Sequence, residues 1–244
     1  MVAAVQYKAR RPDLGASREA LVDRVRQAAE GPTRLVVFPE MAVSGYVFAD
    51  RDAVAAVAEP ADGPTFAALA AVARAQGCAI IGGFPERDGA TLYNSAWVIG
   101  PDGALVTVYR KTLLYSADEP WACAGTGAYG ELRLDGRTVL TGICMDINDD
   151  AFVEVLRERQ PDVVAFPTNW VAEEPPTVDV WDYWAWRLQG VRGALVAANT
   201  WGEESAVGVG ATRFTGRSAV IQGYRLRGHL GPTGDGILRV ALPG

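Results

Sequence analysis

The feature that most constrains the fold is a series of short apolar runs alternating with longer segments of helical period. Runs of strand length cover residues 2–7, 35–38, 78–84, 92–99, 104–109, 137–144, 162–167, 194–200, 217–222 and 236–242. Segments 17–30, 64–76, 150–159 and 180–192 carry helical spacing. This alternation predicts an α/β fold, mixed sheets covered by helices. Pro101-Asp102-Gly103 is a tight-turn signal, so residues 92–109 read as a hairpin. Gly63-Pro64 suits a helix start and Gly77 a helix stop. Three runs end in Phe-Pro, at Phe38-Pro39, Phe84-Pro85 and Phe166-Pro167, but their irregular spacing excludes a solenoid. With no low-complexity segment or linker, residues 1–244 read as a single domain.

Composition removes several function classes. The net charge of -6 argues against nucleic acid or an anionic membrane surface as partner. No apolar run is long enough to predict a transmembrane helix. Met1–Tyr7 reads as a strand and not as a signal peptide, and a cytoplasmic protein is expected. The three cysteines, Cys78, Cys123 and Cys144, form no C-x-x-C pair, so neither a disulfide framework nor a structural zinc site is expected. His229 is the only histidine and lies in a turn-rich tail, which excludes a multi-histidine metal centre. Neither a metal nor an organic cofactor is implied. Gly125–Gly130 matches G-x-G-x-x-G, but a strand-like alternation follows it where a dinucleotide site needs a helix.

What remains is chemistry at strand exits, where binding groups of α/β proteins converge. Cys144 ends one apolar run, Glu40 follows Leu35–Pro39, and Lys111 follows Val106–Arg110. A thiol that attacks a carbonyl or nitrile carbon needs a proton acceptor. It also needs a stabiliser for the oxyanion. With a lone histidine far along the chain, a carboxylate is the expected base. Glu40 can take the thiol proton and return it to departing ammonia. Lys111 and a backbone N–H after Cys144 can hold the oxyanion.

The segments Phe38-Pro39-Glu40-Met41 with Ser44-Gly45-Tyr46, Tyr109-Arg110-Lys111-Thr112, and Gly142-Ile143-Cys144-Met145-Asp146 resemble the nitrilase superfamily of carbon–nitrogen hydrolases in order and spacing. The resemblance covers nearly the whole chain. It implies a four-layer α-β-β-α sandwich, Glu40 as base, Lys111 as oxyanion stabiliser and Cys144 as nucleophile. It also implies a second glutamate soon after the lysine, at Glu119, with the neighbouring Asp118 as rival. The family pairs commonly into dimers, which implies a homodimer, although this sequence stops at Gly244, soon after its last predicted strand. The Cys-Met-Asp-Ile-Asn wording is most similar to the N-terminal amidase branch, and it lacks the arginine that many members carry there.

The expected activity is an amidohydrolase acting through a cysteine thioester on a small-molecule or peptide-terminal amide. A nitrilase and a catalytically idle binding member are the alternatives. Tyr46, Trp121, Met145, Asn169, Trp170 and Trp201 are the expected substrate contacts, because they lie at strand exits or beside catalytic positions. Asp146, Glu173 and Glu204 are the acids available to hold an α-amino group. Lys111 beside Cys144 is expected to favour the thiolate and make this cysteine the fastest to alkylate.

Overall fold

The computed structural model describes residues 1–172 and 178–243. Its strands are β1 (Val2–Gln6), β2 (Leu35–Phe38), β3 (Ala79–Asp88), β4 (Thr91–Ile99), β5 (Leu105–Arg110), β6 (Gly130–Leu134), β7 (Arg137–Thr141), β8 (Val163–Thr168), β9 (Ala194–Asn199), β10 (Trp201–Ala206), β11 (Gly210–Thr215), β12 (Ala219–Gln222), β13 (Arg225–His229) and β14 (Gly236–Val240). Its helices are α1 (Leu14–Ala28), α2 (Arg51–Ala55), α3 (Pro64–Gln76), α4 (Asp150–Arg159) and α5 (Val180–Arg187). A 3-10 turn spans Cys144–Asn148.

Two sheets of six strands carry the fold, in the orders β14-β1-β2-β3-β4-β5 and β13-β12-β9-β8-β7-β6. Alternate residues of each strand face opposite sides. One set, including Val2, Ala4, Val37 and Ile81, meets Val139, Ala165, Val196 and Val220 of the other sheet. The opposite set, including Val36, Phe38 and Trp97, packs beneath α1 and α3. Leu140, Val164 and Phe166 pack beneath α4 and α5. The result is the expected α-β-β-α sandwich. The β10–β11 hairpin stands apart as its own pair of strands.

Strand direction brings the chemical residues to one end. β1, β2 and β3 are mutually parallel, as are β7, β8 and β9. β4 runs antiparallel to both β3 and β5, so β5 exits at the same end as β2. Glu40, Lys111 and Cys144 therefore follow β2, β5 and β7 at equivalent sheet ends.

Most expected elements are present, with informative shifts. The first helix begins at Leu14 because Asp13 Oδ1 caps it by accepting the Ala16 N–H at 3.0 Å. Ser17, the expected start, is buried within that helix and accepts the Arg10 N–H at 2.9 Å. The run expected at 137–144 stops at Thr141, and Cys144 leaves it with a left-handed φ of 44°. The last helix stops at Arg187, before Gly190 with its φ of 91°. β6 is the strand-like alternation that follows the glycine-rich segment, while α2, β10, β11 and β13 are missing from the sequence reading. The last three are polar and largely exposed, so no apolar run marked them. The glycine-rich segment 125–130 leads into β6 and not into a helix, which supports setting aside a dinucleotide site.

One close approach sets the position of Glu40. A Cβ at Gly83 would lie 2.5 Å from the Glu40 Cα and 2.8 Å from the Met41 nitrogen. The Gly83 N–H donates to the Pro39 carbonyl at 3.0 Å, and the Ala42 N–H donates to the Gly83 carbonyl at 3.1 Å. Glycine lets the two backbones meet. Gly83→Ala should cost about 1–3 kcal/mol through overpacking. For a chain of this size, calorimetry should show Tm falling by roughly 2–12 °C. Turnover should fall with it, and an unchanged Tm would refute the close-approach argument.

Candidate active site

Lys111 is the centre of the site. It is fully buried, and its ammonium donates to Glu40 Oε1 at 2.7 Å and to Asp118 Oδ2 at 2.6 Å. Its backbone is fixed by register. Ser95 pairs with Arg110, and the Lys111 N–H donates to the Asn94 carbonyl at 2.9 Å. Tyr109 and Lys111 share a strand face toward the second sheet, whereas Arg110 points outward to Glu86 and Asp88.

Asp118, and not Glu119, is the second acid here. Glu119 is exposed, while Asp118 is buried and takes part in the ion cluster. The turn decides which of the two neighbours points inward. The Asp118 N–H donates to the Tyr115 carbonyl at 2.7 Å, and Asp118 Oδ2 accepts the Tyr115 N–H at 3.1 Å. Two adjacent acids in a turn carry no periodicity, so the sequence held no signal that separated them.

Asn94 was missed entirely. Its Nδ2 donates to Glu40 Oε1 at 2.7 Å and to Asp118 Oδ1 at 3.1 Å. A signal did exist. Asn94 interrupts an apolar run, on the same strand face as Ala96 and Val98, and a buried polar side chain must find partners.

Cys144 is buried and packs with Ile143, Tyr109, Ala96 and Trp170. Its left-handed backbone lifts it out of the β7 ladder. Burial first, and Glu40 second, push its thiol well above the ordinary value; Lys111, the Thr168 hydroxyl and the Asn169 N–H oppose this only in part. This setting works against the thiolate expected from the lysine alone. Glu40 is also raised, chiefly by burial, while Lys111 and Asn94 hold it down. Burial alone would lower Lys111, but Glu40 and Asp118 more than offset it and keep the ammonium charged.

Counting acceptors separates the two acids. A carboxylate offers about four lone-pair sites. Asp118 uses all of them, for Asn94, the Tyr46 hydroxyl at 2.9 Å, Lys111 and the Tyr115 N–H. Glu40 takes two donors on Oε1 and, on Oε2, only the Asn169 N–H at 2.9 Å. Glu40 Oε2 keeps a lone pair for a proton.

The structure gathers most of the expected substrate contacts. Tyr46 holds Asp118, and Lys111 Nζ lies 5.9 Å from its ring centroid. Trp121 packs in one cluster with Tyr46 and Met41. Asn169 sits on Glu40, and its buried Oδ1 has no hydrogen-bond partner. Trp170 packs against Cys144, and Met145 follows it in the 3-10 turn. Trp201 is not brought in: its Nε1 donates to Asp235 at 2.8 Å, and Lys8 lies over its ring.

The acids expected to hold an α-amino group do other work. Asp146 is buried and accepts from Thr112 N and Oγ1, Leu113 N, Ile143 N and the Tyr109 hydroxyl. It ties the lysine loop to the cysteine turn and has no acceptor site left. Glu204 accepts the Tyr46 and Val47 N–H groups at 2.7 and 3.2 Å. Glu173 lies outside the described residues. His229, on β13, packs its ring at a tilt against Trp181 of α5 and hydrogen-bonds to none of these groups.

A cavity of about 590 Å³ lies elsewhere. Glu86, Arg110 and Tyr93 line it with the 124–126 loop, and Glu40, Lys111 and Cys144 do not. Arg110 is already bound by Glu86 and Asp88 there, so the chemistry argues for the site at Cys144. Among the described residues no cluster of His, Cys, Asp and Glu could hold a metal ion, and no helix is long and apolar enough to cross a membrane.

The chain is 26% identical over 242 residues to Protein N-terminal amidase of Schizosaccharomyces pombe, covering 83% of this chain and 82% of that one. It is 33% identical over 153 residues to Nitrilase of Pyrococcus abyssi, covering 62% of this chain and 58% of that one. An amidase from Nesterenkonia sp. AN1, solved after Michael addition of acrylamide at its active-site cysteine, superimposes with a TM-score of 0.82 at 23% identity. That match covers 99% of this chain and 92% of the other, and it bears on the fold. The profile of the carbon-nitrogen hydrolases matches residues 1–221, and the chain belongs to that family.

Proposed function

We propose that this protein is an amidase that hydrolyses a primary carboxamide through a Cys144 thioester. The observation that carries the reading is a buried thiol beside a glutamate with one free lone pair and a lysine held charged by two carboxylates. In the resting state Cys144 is a neutral thiol. As its sulfur attacks the carbonyl carbon, its proton passes to Glu40 Oε2. The carbonyl oxygen becomes an oxyanion facing the Lys111 ammonium. The Met145 N–H, in the first turn of a 3-10 segment where such groups lack partners, is the second donor. Glu40 then gives its proton to the nitrogen, the C–N bond breaks, and ammonia leaves. Water attacks the thioester while Glu40 takes one of its protons. The C–S bond breaks, the acid departs, and the proton returns to sulfur.

Asp118 serves as a fixed charge. Saturated with donors, it has no free acceptor site, so its part is to keep Lys111 protonated. Tyr46, Trp121, Asn169 and Trp170 supply the walls. The name of the Schizosaccharomyces pombe relative supports a peptide-terminal amide as one substrate class, alongside small amides. The acidic charge and the three unpaired cysteines support a cytoplasmic enzyme with no nucleic-acid or membrane partner. A homodimer is the assembly proposed from family resemblance.

Ammonia release from paired amides and nitriles tests the reading. Cys144→Ala should abolish release from amides with the fold intact, and retained hydrolysis would sink the mechanism. Release from nitriles alone would make the protein a nitrilase.

The two neighbouring acids should separate cleanly. Asp118→Asn should lower kcat by about 10²-fold, the scale of one lost electrostatic stabiliser. Glu119→Gln should leave kcat within about twofold, as exposed changes do. The reverse order would restore Glu119 as the second acid.

Thiol reactivity offers an independent check. N-ethylmaleimide at neutral pH should label exposed Cys123 before buried Cys144. Peptide mapping that finds Cys144 labelled first would mean that its thiolate is populated at rest.

A further inference from the structure

We infer that Asn94 is a positioning residue that sets the proton affinity of Glu40 by bridging Glu40 and Asp118. The inference rests on the reading of Glu40 as the base. Register puts Asn94 at this spot: it lies opposite Pro85 on β3, and its carbonyl holds the Lys111 N–H. Its side chain is fully buried and spans the two carboxylates through one nitrogen, at 2.7 and 3.1 Å.

The other end of the same amide is the second observation. Asn94 Oδ1 is buried with no hydrogen-bond partner. An unpaired carbonyl in the interior destabilises the fold. An apolar side chain would fill this place without that penalty, so the donor end accounts for the asparagine. Lys111 alone leaves the cluster with two negative charges and one positive. A neutral donor shared between both carboxylates lowers their repulsion without adding a charge that would make the thiol too acidic to remain neutral.

The direction follows from linkage. A donor to the ionised carboxylate favours that form, so removing it makes Glu40 hold its proton more tightly. The groups that face Glu40 are Lys111, Asp118, Cys144, the Tyr46 phenol and the Asn169 N–H, Tyr46 being hydrogen-bonded to Asp118. Only Asn94 among its side-chain partners is uncharged at every working pH. The protons of Glu40 and Cys144 are coupled, so the experiment reads a macroscopic midpoint.

The readout is the rate of Cys144 alkylation by iodoacetamide against pH, followed by peptide mass mapping so that Cys123 and Cys78 are counted separately. The acid limb reports loss of the proton acceptor. In Asn94→Ala its midpoint should move up by about 1–2 pH units, the worth of a hydrogen bond to a charged group. Asn94→Ser, which can donate to one carboxylate only, should move it less. An unmoved midpoint in either folded variant overturns the inference. Failure of both variants to fold also overturns it, since Asn94 would then be a packing residue. The measurement needs no amide substrate: absent ammonia release from the parent protein would count against the amidase reading and leave the Asn94 result standing.

Discussion

A lysine ammonium with no solvent exposure, clasped between two carboxylates, is the interaction on which the rest of this structure depends. Removing one partner of such a buried group leaves an uncompensated charge and costs several kcal/mol. The surrounding backbone is therefore arranged to keep all three groups in place. The β4–β5 register holds Lys111, the glycine contact on β3 holds Glu40, and the Tyr115–Asp118 turn holds the second acid. Asp146 then fastens the lysine loop to the turn that carries the thiol.

The same cluster governs the chemistry. Two carboxylates against one ammonium leave a net negative charge beside Cys144, and burial adds to it. Both effects disfavour a resting thiolate. In the proposed mechanism nucleophile and base therefore act in one motion, with the lysine free to receive the charge that appears on oxygen. A cation that merely stabilised a resting thiolate would be partly neutralised before the substrate arrived.

Much of this was legible in the residues. Apolar runs located ten strands closely, because buried parallel strands carry near-continuous hydrophobic sequence. The exits of three of those runs located Glu40, Lys111 and Cys144. The polar strands β10, β11 and β13 were invisible, since they cover little core and carry no period. Glu119 was preferred to its rival Asp118, yet Asp118 is the one turned inward, because a tight turn chooses inward and outward residues by backbone angle. Trp201 was misplaced for a related reason. It follows β9 at the expected sheet end, but its ring is drawn to Asp235 and Lys8, contacts made by distant segments of chain. Asp146 looked free in sequence and is spent in space, which only a hydrogen-bond count could reveal.

Met41, which follows Glu40 in the chain, and Cys144 both stand in left-handed backbone, with φ of 51° and 44°. Neither residue is comfortable there, and glycine would be. Met41 is fully buried, so glycine there would exchange strain for a cavity. Position 144 is different: under the proposed thioester chemistry it is the sulfur that keeps a side chain in strained backbone. The backbone angle at the thiol is then a marker of descent: in duplicated copies of this gene, glycine at position 144 should accompany the loss of chemistry.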